Sequence, residues 1–468
     1  MNLPNFSTHD NLIYGLDLAK KESQLAVLSS EGKQLSNFRL PSTRENYLDI
    51  AKRLRSTDTI ALEVSTSANA VVSLFKLNSP ARVLLSNPLK TKLISSGRVK
   101  TDKVDARVLA ELARVDYLPT VWAPDADTLR LRHFVTDRES LVHYKTKLKN
   151  QVHAILHRNL VTYEFSDLFG SEGSLWLEAL LQTDELDVFE RDRLRFNLGE
   201  IGRQKMLVDD LDATIAAFIC SRAALLHQLD LLLSIPGVSL ASGATILAAV
   251  GDVSRFGRKE QLACYLGLTT RVNQSGEKLR MGRISKQGNA YARFMLVESA
   301  DWLRKSVPVY SRFYERIKKK RNHNVAKVAV ARKLAELCWI LLTRDQEFIY
   351  ARPKRTDDKR SMVRQMARTK AKLNLARKPT NRILYGTNLR GTQIRNEIQK
   401  RGSDEAAKIK DLLALGKSLS NISPSGFNPT KPNFTDWQKL LEIVARDYSK
   451  ELAAAKDVSS QQPVVSSQ

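Results

Sequence analysis

Four acids and one serine have the type and placement to do chemistry. Asp17 stands inside the apolar run Leu16-Asp17-Leu18, Glu63 closes the run Thr59-Ile-Ala-Leu-Glu63, and Asp102 and Asp105 share a helix start at Thr101-Asp102-Lys-Val-Asp105. An ionised carboxylate inside an apolar strand is costly to bury without a cation or a donor beside it. The i,i+3 spacing of Asp102 and Asp105 puts both on one helix face, where they repel unless a cation lies between them. Such hard oxygen donors suit Mg2+, and two such ions ~4 Å apart activate a nucleophile and stabilise the leaving oxygen of a phosphodiester. Two of these acids also have a plainer account. Asp102 can cap its helix, and Glu63 can cap the loop Ser65 to Asn69. Ser275, in Gln274-Ser-Gly-Glu277, is expected in a polar loop before a basic helix. Its hydroxyl attacks only if a base or metal activates it, and otherwise it is a turn residue. No histidine stands nearby in sequence to serve as that base. His153 and His157 share a helix face but lack the intervening glutamate of HExxH, so they read as ordinary helix residues.

The elements that must position these groups follow from hydrophobic periodicity. Leu12 to Leu18, Gln24 to Leu28 and Lys33 to Leu40 read as a three-strand meander. A helix over Thr43 to Leu54, a strand over Thr59 to Val64, a helix over Ala68 to Leu77, a strand over Arg82 to Leu85 and a helix from Asp102 complete an α/β layer. From Asp125 to Leu160, and again from Asp184 to Leu232, apolar residues recur at three-to-four spacing in charged sequence, which predicts long, coiled-coil-like helices suited to oligomerisation. A Pro-Gly turn at Leu232 to Ser239, the small apolar run Ala241 to Val250 and a further helix to Gly267 resemble a helix-hairpin-helix, although Ser239 stands where a second glycine is usual. Such turns often point backbone amides at DNA phosphates.

Composition narrows the class. With 468 residues the chain has room for roughly two to four domains. At 43% hydrophobic and 27% charged it is neither disordered, collagenous nor a disulfide scaffold. A formal charge of +25 favours a polyanionic partner, most often nucleic acid. Residues 271–333 concentrate the charge, with 17 lysines and arginines against four acids and with Tyr291, Phe294, Trp302, Phe313 and Tyr314 interleaved. A second basic stretch, Arg352 to Lys378, is either extra grip on RNA or DNA, the reading preferred, or merely a charged appendage. It leads into Pro-, Ser- and Asn-rich sequence at Asn421 to Asn433, a last helix over Trp437 to Ala455 and a Ser/Gln tail expected to be disordered. Three scattered cysteines, Cys220, Cys264 and Cys338, form no CxxC motif and fit a reducing compartment, read as the cytosol. Neither a signal peptide nor an apolar run of ~18 residues is present, so no membrane role is expected.

Taken together the motifs resemble the insertion-sequence transposases that pair a DEDD-type, RuvC-like domain with a C-terminal serine domain, relatives of the pilin-gene DNA invertase. The N-terminal part of the resemblance lies in Tyr14-Gly-Leu-Asp17-Leu-Ala-Lys20, Ala61-Leu-Glu63, Asn87-Pro88 and Lys100-Thr-Asp102-Lys-Val-Asp105-Ala-Arg107. The C-terminal part lies in Ile235-Pro-Gly237, Gly251-Asp252, Arg255-Phe256, Tyr265-Leu-Gly267-Leu, Gln274-Ser275-Gly276 and Gly282-Arg-Ile-Ser-Lys-Gln-Gly288-Asn289. It covers about residues 12–120 and 230–345. Ser65-Thr66-Ser67 replaces the glycine-rich pair usual after the glutamate.

The resemblance implies an RNase H-like α/β domain over residues 1–120 and a mostly α serine domain over 231–350; periodicity adds a helical region over 121–230, and a basic extension over 351–468 lies beyond the resemblance. It implies that Asp17, Glu63, Asp102 and Asp105 hold Mg2+ and that Ser275 attacks DNA to form a phosphoserine intermediate, with Ser285 as the runner-up nucleophile. It further implies a homodimer or homotetramer acting on donor and target DNA and guided by a noncoding bridge RNA. Nucleic-acid contacts are expected at Lys20, Lys100, Arg107, Lys278, Arg280, Arg283, Lys286, Asn289, Arg293, Lys318, Lys319 and Lys320. A junction-resolving Mg2+ nuclease, with water as the attacking group, is the alternative enzyme. A non-catalytic nucleic-acid binder is the alternative outside enzymes.

Overall fold

A computed structural model describes residues 11–94, 101–275 and 278–376, and gives the backbone alone for 272, 273, 275, 278–281 and 372–376. Lys100, the 421–433 segment, the helix expected over Trp437 to Ala455 and the Ser/Gln tail lie outside the described residues.

The N-terminal part is a five-stranded sheet in the order β3-β2-β1-β4-β5. Strands β1 (Ile13–Asp17), β2 (Glu22–Leu28) and β3 (Gln34–Pro41) form the expected antiparallel meander, while β4 (Thr59–Glu63) and β5 (Arg82–Ser86) run parallel to β1. Helices α1 (Arg44–Arg53) and α2 (Ala68–Asn78) supply the crossovers, and α3 (Pro88–Ile94) and α4 (Asp102–Arg114) follow the last strand. Period-two alternation divides the strands between two cores. Leu12, Tyr14, Leu16, Leu25, Val27, Ile60 and Leu62 cluster with Tyr47, Ile50, Val71, Val72 and Phe75 of α1 and α2. Ile13, Leu28 and Ala61 cluster with Leu109, Ala110, Leu112 and Ala113 of α4. Asp58 locks the far end of the parallel strands, its buried carboxylate accepting from the Leu12 and Arg55 amides at 3.0 and 2.9 Å.

The remainder is mostly helical. Helices α5 (Ala126–Arg158) and α7 (Val188–Cys220) pack as an antiparallel pair, with α6 (Ser171–Leu180) inserted between them in sequence. Val152 and Leu194 share one buried cluster near one end, Leu131 and Ile219 share another near the other, and a bidentate Arg138–Asp212 pair at 2.5 and 3.0 Å lies between. The second long helix expected from the sequence is broken. Ser221 and Arg222 interrupt it, and α8 (Ala223–Leu233) leaves α7 at 116°. Helices α9 (Leu240–Val250) and α10 (Lys259–Tyr265), the hairpin β6 (Thr270–Ser275) and β7 (Lys278–Ile284), and helices α11 (Ala290–Ser306), α12 (Pro308–Lys320), α13 (His323–Arg344) and α14 (Pro353–Ala376) complete the described chain. Among the described residues no single helix is long and apolar enough to cross a membrane.

Two sequence expectations change here. The turn between α8 and α9 is an internal joint and not a surface for phosphates. Gly237, at φ +90°, lies so close to α11 that an added Cβ would come within 2.6 Å of the Ser299 carbonyl oxygen, and the Ser239 amide donates to Ser242 Oγ at 2.8 Å. Lys359 of α14 donates to the carbonyls of Leu233, Ile235 and Val238 in that joint. Four cations of the Arg352 to Lys378 stretch point inward in this way. Beside Lys359, Arg360 meets the Asp230 carbonyl at 2.8 Å, Arg364 the Asp230 carboxylate at 2.7 Å, and Lys370 the Asp210 carboxylate at 2.6 Å. The start of the basic extension therefore braces α14 against α7 and α8, where the partly buried Asp210 and Asp230 take its cations as partners.

Candidate active site

Strand register brings two of the acids together. Leu16 pairs with Leu62 across the parallel strands, so the next residues, Asp17 and Glu63, end β1 and β4 side by side. Both share the sheet face of Ile13, Gly15 and Ala61, the face that α4 covers. Gly15 sets how closely α4 lies on that face: a Cβ there would stand 1.9 Å from the Ala106 carbonyl oxygen and 2.7 Å from the Ala110 amide. Arg114, at the far end of α4, reaches the Ser30 carbonyl beyond the end of β2 that pairs with Ile13. Helix α4 therefore runs antiparallel to β1, and its first turn lies over the Asp17 end.

That turn carries the other two acids. Thr101 is the cap, its hydroxyl accepting from the Val104 amide at 3.4 Å, so the carboxylate of Asp102, the first helical residue, is not used as the cap. Asp102 and Asp105 continue the stripe of Ala106, Leu109, Ala110 and Ala113, at the positive end of the helix dipole. Asn37 on β3 donates to the Lys103 carbonyl at 3.0 Å, and Arg39 approaches Asp102 at 3.5 Å, tying the turn to the sheet. All four acids thus gather at the C-terminal edge of the parallel strands, where open α/β sheets bind ligands. In donor chemistry they fit a hard divalent cation. Among the described residues, however, no three acid, histidine or cysteine side chains close on one point, and Asp102 leans towards Arg39 instead. A hydroxyl cluster of Ser23, Ser42 and Tyr47 holds the chain just after Asp17, with Ser42 donating to the Ala19 carbonyl at 2.8 Å.

The Ser275 segment differs from the expected loop before a basic helix. The alternating run Lys278-Leu-Arg-Met281 pairs antiparallel with Arg271-Val-Asn-Gln-Ser275, which makes it a β-hairpin in which Ser275 faces Lys278 across the strands. The side chains of Ser275, Lys278 and Arg280 lie outside the described residues. Ser285 sits past the hairpin, its amide donating to the Thr269 carbonyl at 2.8 Å.

The remaining expected contacts divide by role. Lys20, Arg107, Arg283, Lys286, Lys318, Lys319 and Lys320 are exposed, and on α12 Arg312, Arg316, Lys319 and Lys320 make one exposed basic stripe. Asn289 caps α11, accepting from the Ala292 amide at 2.8 Å. Arg293 reaches the carbonyls of Leu266 and Gln287 at 3.0 and 3.2 Å, and burial holds its guanidinium below the ordinary value. His153 is held by the Tyr163 hydroxyl at 2.8 Å and by the edge of Phe169, as expected of an ordinary helix residue.

One residue escaped the sequence reading. Trp122 follows Val121, which is still bonded to the Leu85 carbonyl at 2.7 Å, and precedes the α5 cap Asp125. Its ring fills a socket made by Gly251, Arg132 and Arg255. The Arg255 guanidinium also lies 4.2 Å from the Phe256 ring centre and 4.3 Å from that of Tyr265. The Gly251-Asp252, Arg255-Phe256 and Tyr265 motifs thus hold the joint between sheet and helices. Nothing local in the sequence distinguishes Trp122; only the socket does.

Comparison with known proteins agrees in order and extent. Residues 14–159 match a family described as "Transposase", and residues 229–315 match the "Transposase IS116/IS110/IS902 family". A transposase for insertion sequence element IS1111A from Coxiella burnetii is 26% identical over 350 residues, 73% of this chain and 92% of that protein. A probable family 20 transposase from Pseudomonas aeruginosa is 27% identical over 342 residues, 71% of this chain and 96% of that protein. The pilin gene-inverting protein of Moraxella bovis is 22% identical over 349 residues, 71% of this chain and 96% of that protein. The chain is thus similar in both its N-terminal and its C-terminal parts to transposases of the IS110/IS116 kind, and these likenesses mark it as a DNA transposase or recombinase.

Proposed function

We propose that this transposase recombines DNA through a phosphoserine intermediate formed by Ser275 beside a divalent cation, Mg2+, held by Asp17, Glu63, Asp102 and Asp105. The convergence of these acids on one edge and one face of the sheet carries the reading. The sheet and its covering α4 then form an RNase H-like, RuvC-like domain. When bound, the cation supplies Lewis-acid stabilisation of charge on the phosphate and lowers the pKa of a coordinated hydroxyl.

In the covalent step Ser275 Oγ forms a bond to phosphorus while one bridging P–O bond breaks. The proton given up by the serine ends on the departing DNA hydroxyl. A second DNA hydroxyl then reverses the step on a new partner, so phosphodiester bond energy is kept and no nucleotide cofactor is consumed. The basic hairpin and the exposed stripe of α12 hold phosphates. Base pairing with a noncoding guide RNA reads sequence, which accounts for a basic surface without a base-reading motif. The carboxylate edge and Ser275 meet in a composite site within a homodimer or homotetramer.

The test is a denaturing gel of the protein expressed with its flanking DNA and Mg2+. A nuclease-sensitive, slower protein band is expected in wild type and in Ser285→Ala, and is expected to vanish in Ser275→Ala and Asp17→Ala. DNA cutting by Ser275→Ala without any such band would replace the covalent mechanism with attack by water.

A further inference from the structure

The carboxylate edge holds one polar atom that the four acids leave unexplained. Gln24 on β2 lies directly across from Asp17, shares its sheet face, and is 2% exposed. A chain of partners dictates how its amide is turned. The Lys103 carbonyl can only accept, so Asn37 must present Nδ2 to it, at 3.0 Å. Asn37 Oδ1 therefore faces Gln24 and takes Nε2 at 2.6 Å. Gln24 Oε1 is left on the side away from β3. The neighbouring strand on that side is β1, where the residue opposite is Asp17. Oε1 is buried and, among the described residues, accepts no hydrogen bond. Buried polar atoms are nearly always satisfied, and an amide oxygen next to a carboxylate calls for something positive between them.

We propose that Gln24 Oε1 is a further oxygen ligand for the divalent cation at the ends of β1 and β4. This rests on the reading of Asp17, Glu63, Asp102 and Asp105 as the cation's carboxylate ligands. Hard cations accept amide oxygens alongside carboxylates, and a neutral donor raises the ligand count without adding repulsion among four acids. Asn37 acts behind it, holding the amide so that oxygen and not nitrogen faces the cation, and through Lys103 it ties that amide to the turn bearing Asp102 and Asp105.

The test titrates Mn2+ alone into the full-length protein and reads free Mn2+ by electron paramagnetic resonance, with cation-free thermal unfolding as the check on folding. Gln24→Met is expected to weaken Mn2+ binding about tenfold or more with cation-free unfolding unchanged. Gln24→Glu is expected to bind at least as tightly as wild type, and Asp17→Asn to lose binding. Wild-type affinity in Gln24→Met, with binding lost in Asp17→Asn, overturns the proposal and leaves the carboxylate site standing. Wild-type affinity in Asp17→Asn overturns the carboxylate reading and the proposal with it. Should Gln24→Met fail to fold, Gln24→Glu decides, and weaker binding than wild type in that variant overturns the proposal.

Discussion

Gly15→Ala offers the sharpest check that α4 is held on the sheet by contact between backbones. An added Cβ would stand 1.9 Å from the Ala106 carbonyl oxygen, with the Ala110 amide at 2.7 Å, and neither atom belongs to a side chain that can turn aside. Restoring an ordinary separation of roughly 3.5 Å requires α4 to lift by about 1.5 Å. Overpacking of this kind costs about 1–3 kcal/mol and can exceed that where backbone must shift. The lift also carries Asp102 and Asp105 away from Asp17 and Glu63. A misplacement of ~1 Å at a reacting centre costs on the order of 100-fold in rate. Urea unfolding of the full chain measures the first effect, and excision frequency of a marked element in cells measures the second. Gly199→Ala on α7, where a Cβ meets nothing within 4 Å, is the control and should be stabilising by up to about 1 kcal/mol. Wild-type stability and wild-type excision in Gly15→Ala would refute the argument that this glycine seats the helix.

Other outcomes follow from particular contacts. Trp122→Ala empties the socket of Gly251, Arg132 and Arg255 and, for a half-buried ring, should lower stability by about 1–3 kcal/mol and speed thermolysin cleavage before Val121; unchanged cleavage would count against the joint. Arg39→Gln breaks an exposed pair 3.5 Å long, so cation-free stability should change by less than about 1 kcal/mol, while Mn2+ binding tightens because Asp102 is released. Weaker Mn2+ binding would contradict that. Burial, with Arg360 nearby, pushes Lys359 down from its ordinary 10.5 to about 8. Between those values the unfolded chain holds a proton that the folded chain has shed, so stability should rise with pH from about 8 to 10.5 and stay level below 8. Lys359→Met should lack that rise, and parallel curves for the two proteins from pH 7 to 10 would dispose of the assignment.

The chemistry-bearing residues were legible because their cost is local. An acid within an apolar strand, or two acids one helical turn apart, needs compensation wherever the chain goes. The near-continuous apolar runs Ile13–Asp17 and Thr59–Glu63 likewise mark strands buried on both faces, while the face to which Asp17 and Glu63 belong follows from the register and from α4. What the sequence did not determine depends on partners distant along the chain. The Ser275 segment is a hairpin and not a loop leading to a helix because two short runs pair with each other, and the first, Arg271 to Ser275, carries too few apolar residues to declare itself a strand alone. Four cations of the basic extension became braces because Asp210, Asp230 and the carbonyls of the α8–α9 joint lie more than a hundred residues away in sequence. Trp122 and Gln24 carry no local signal at all. One matters through a socket built from three motifs 129 and more residues beyond it in part, and from Arg132 nearby, the other through an orphaned oxygen that a carbonyl two residues removed by hydrogen bonds leaves facing Asp17. Composition and periodicity specify what each segment must bury; only the folded chain decides which groups meet, because satisfaction of a buried polar atom is a property of its neighbours in space.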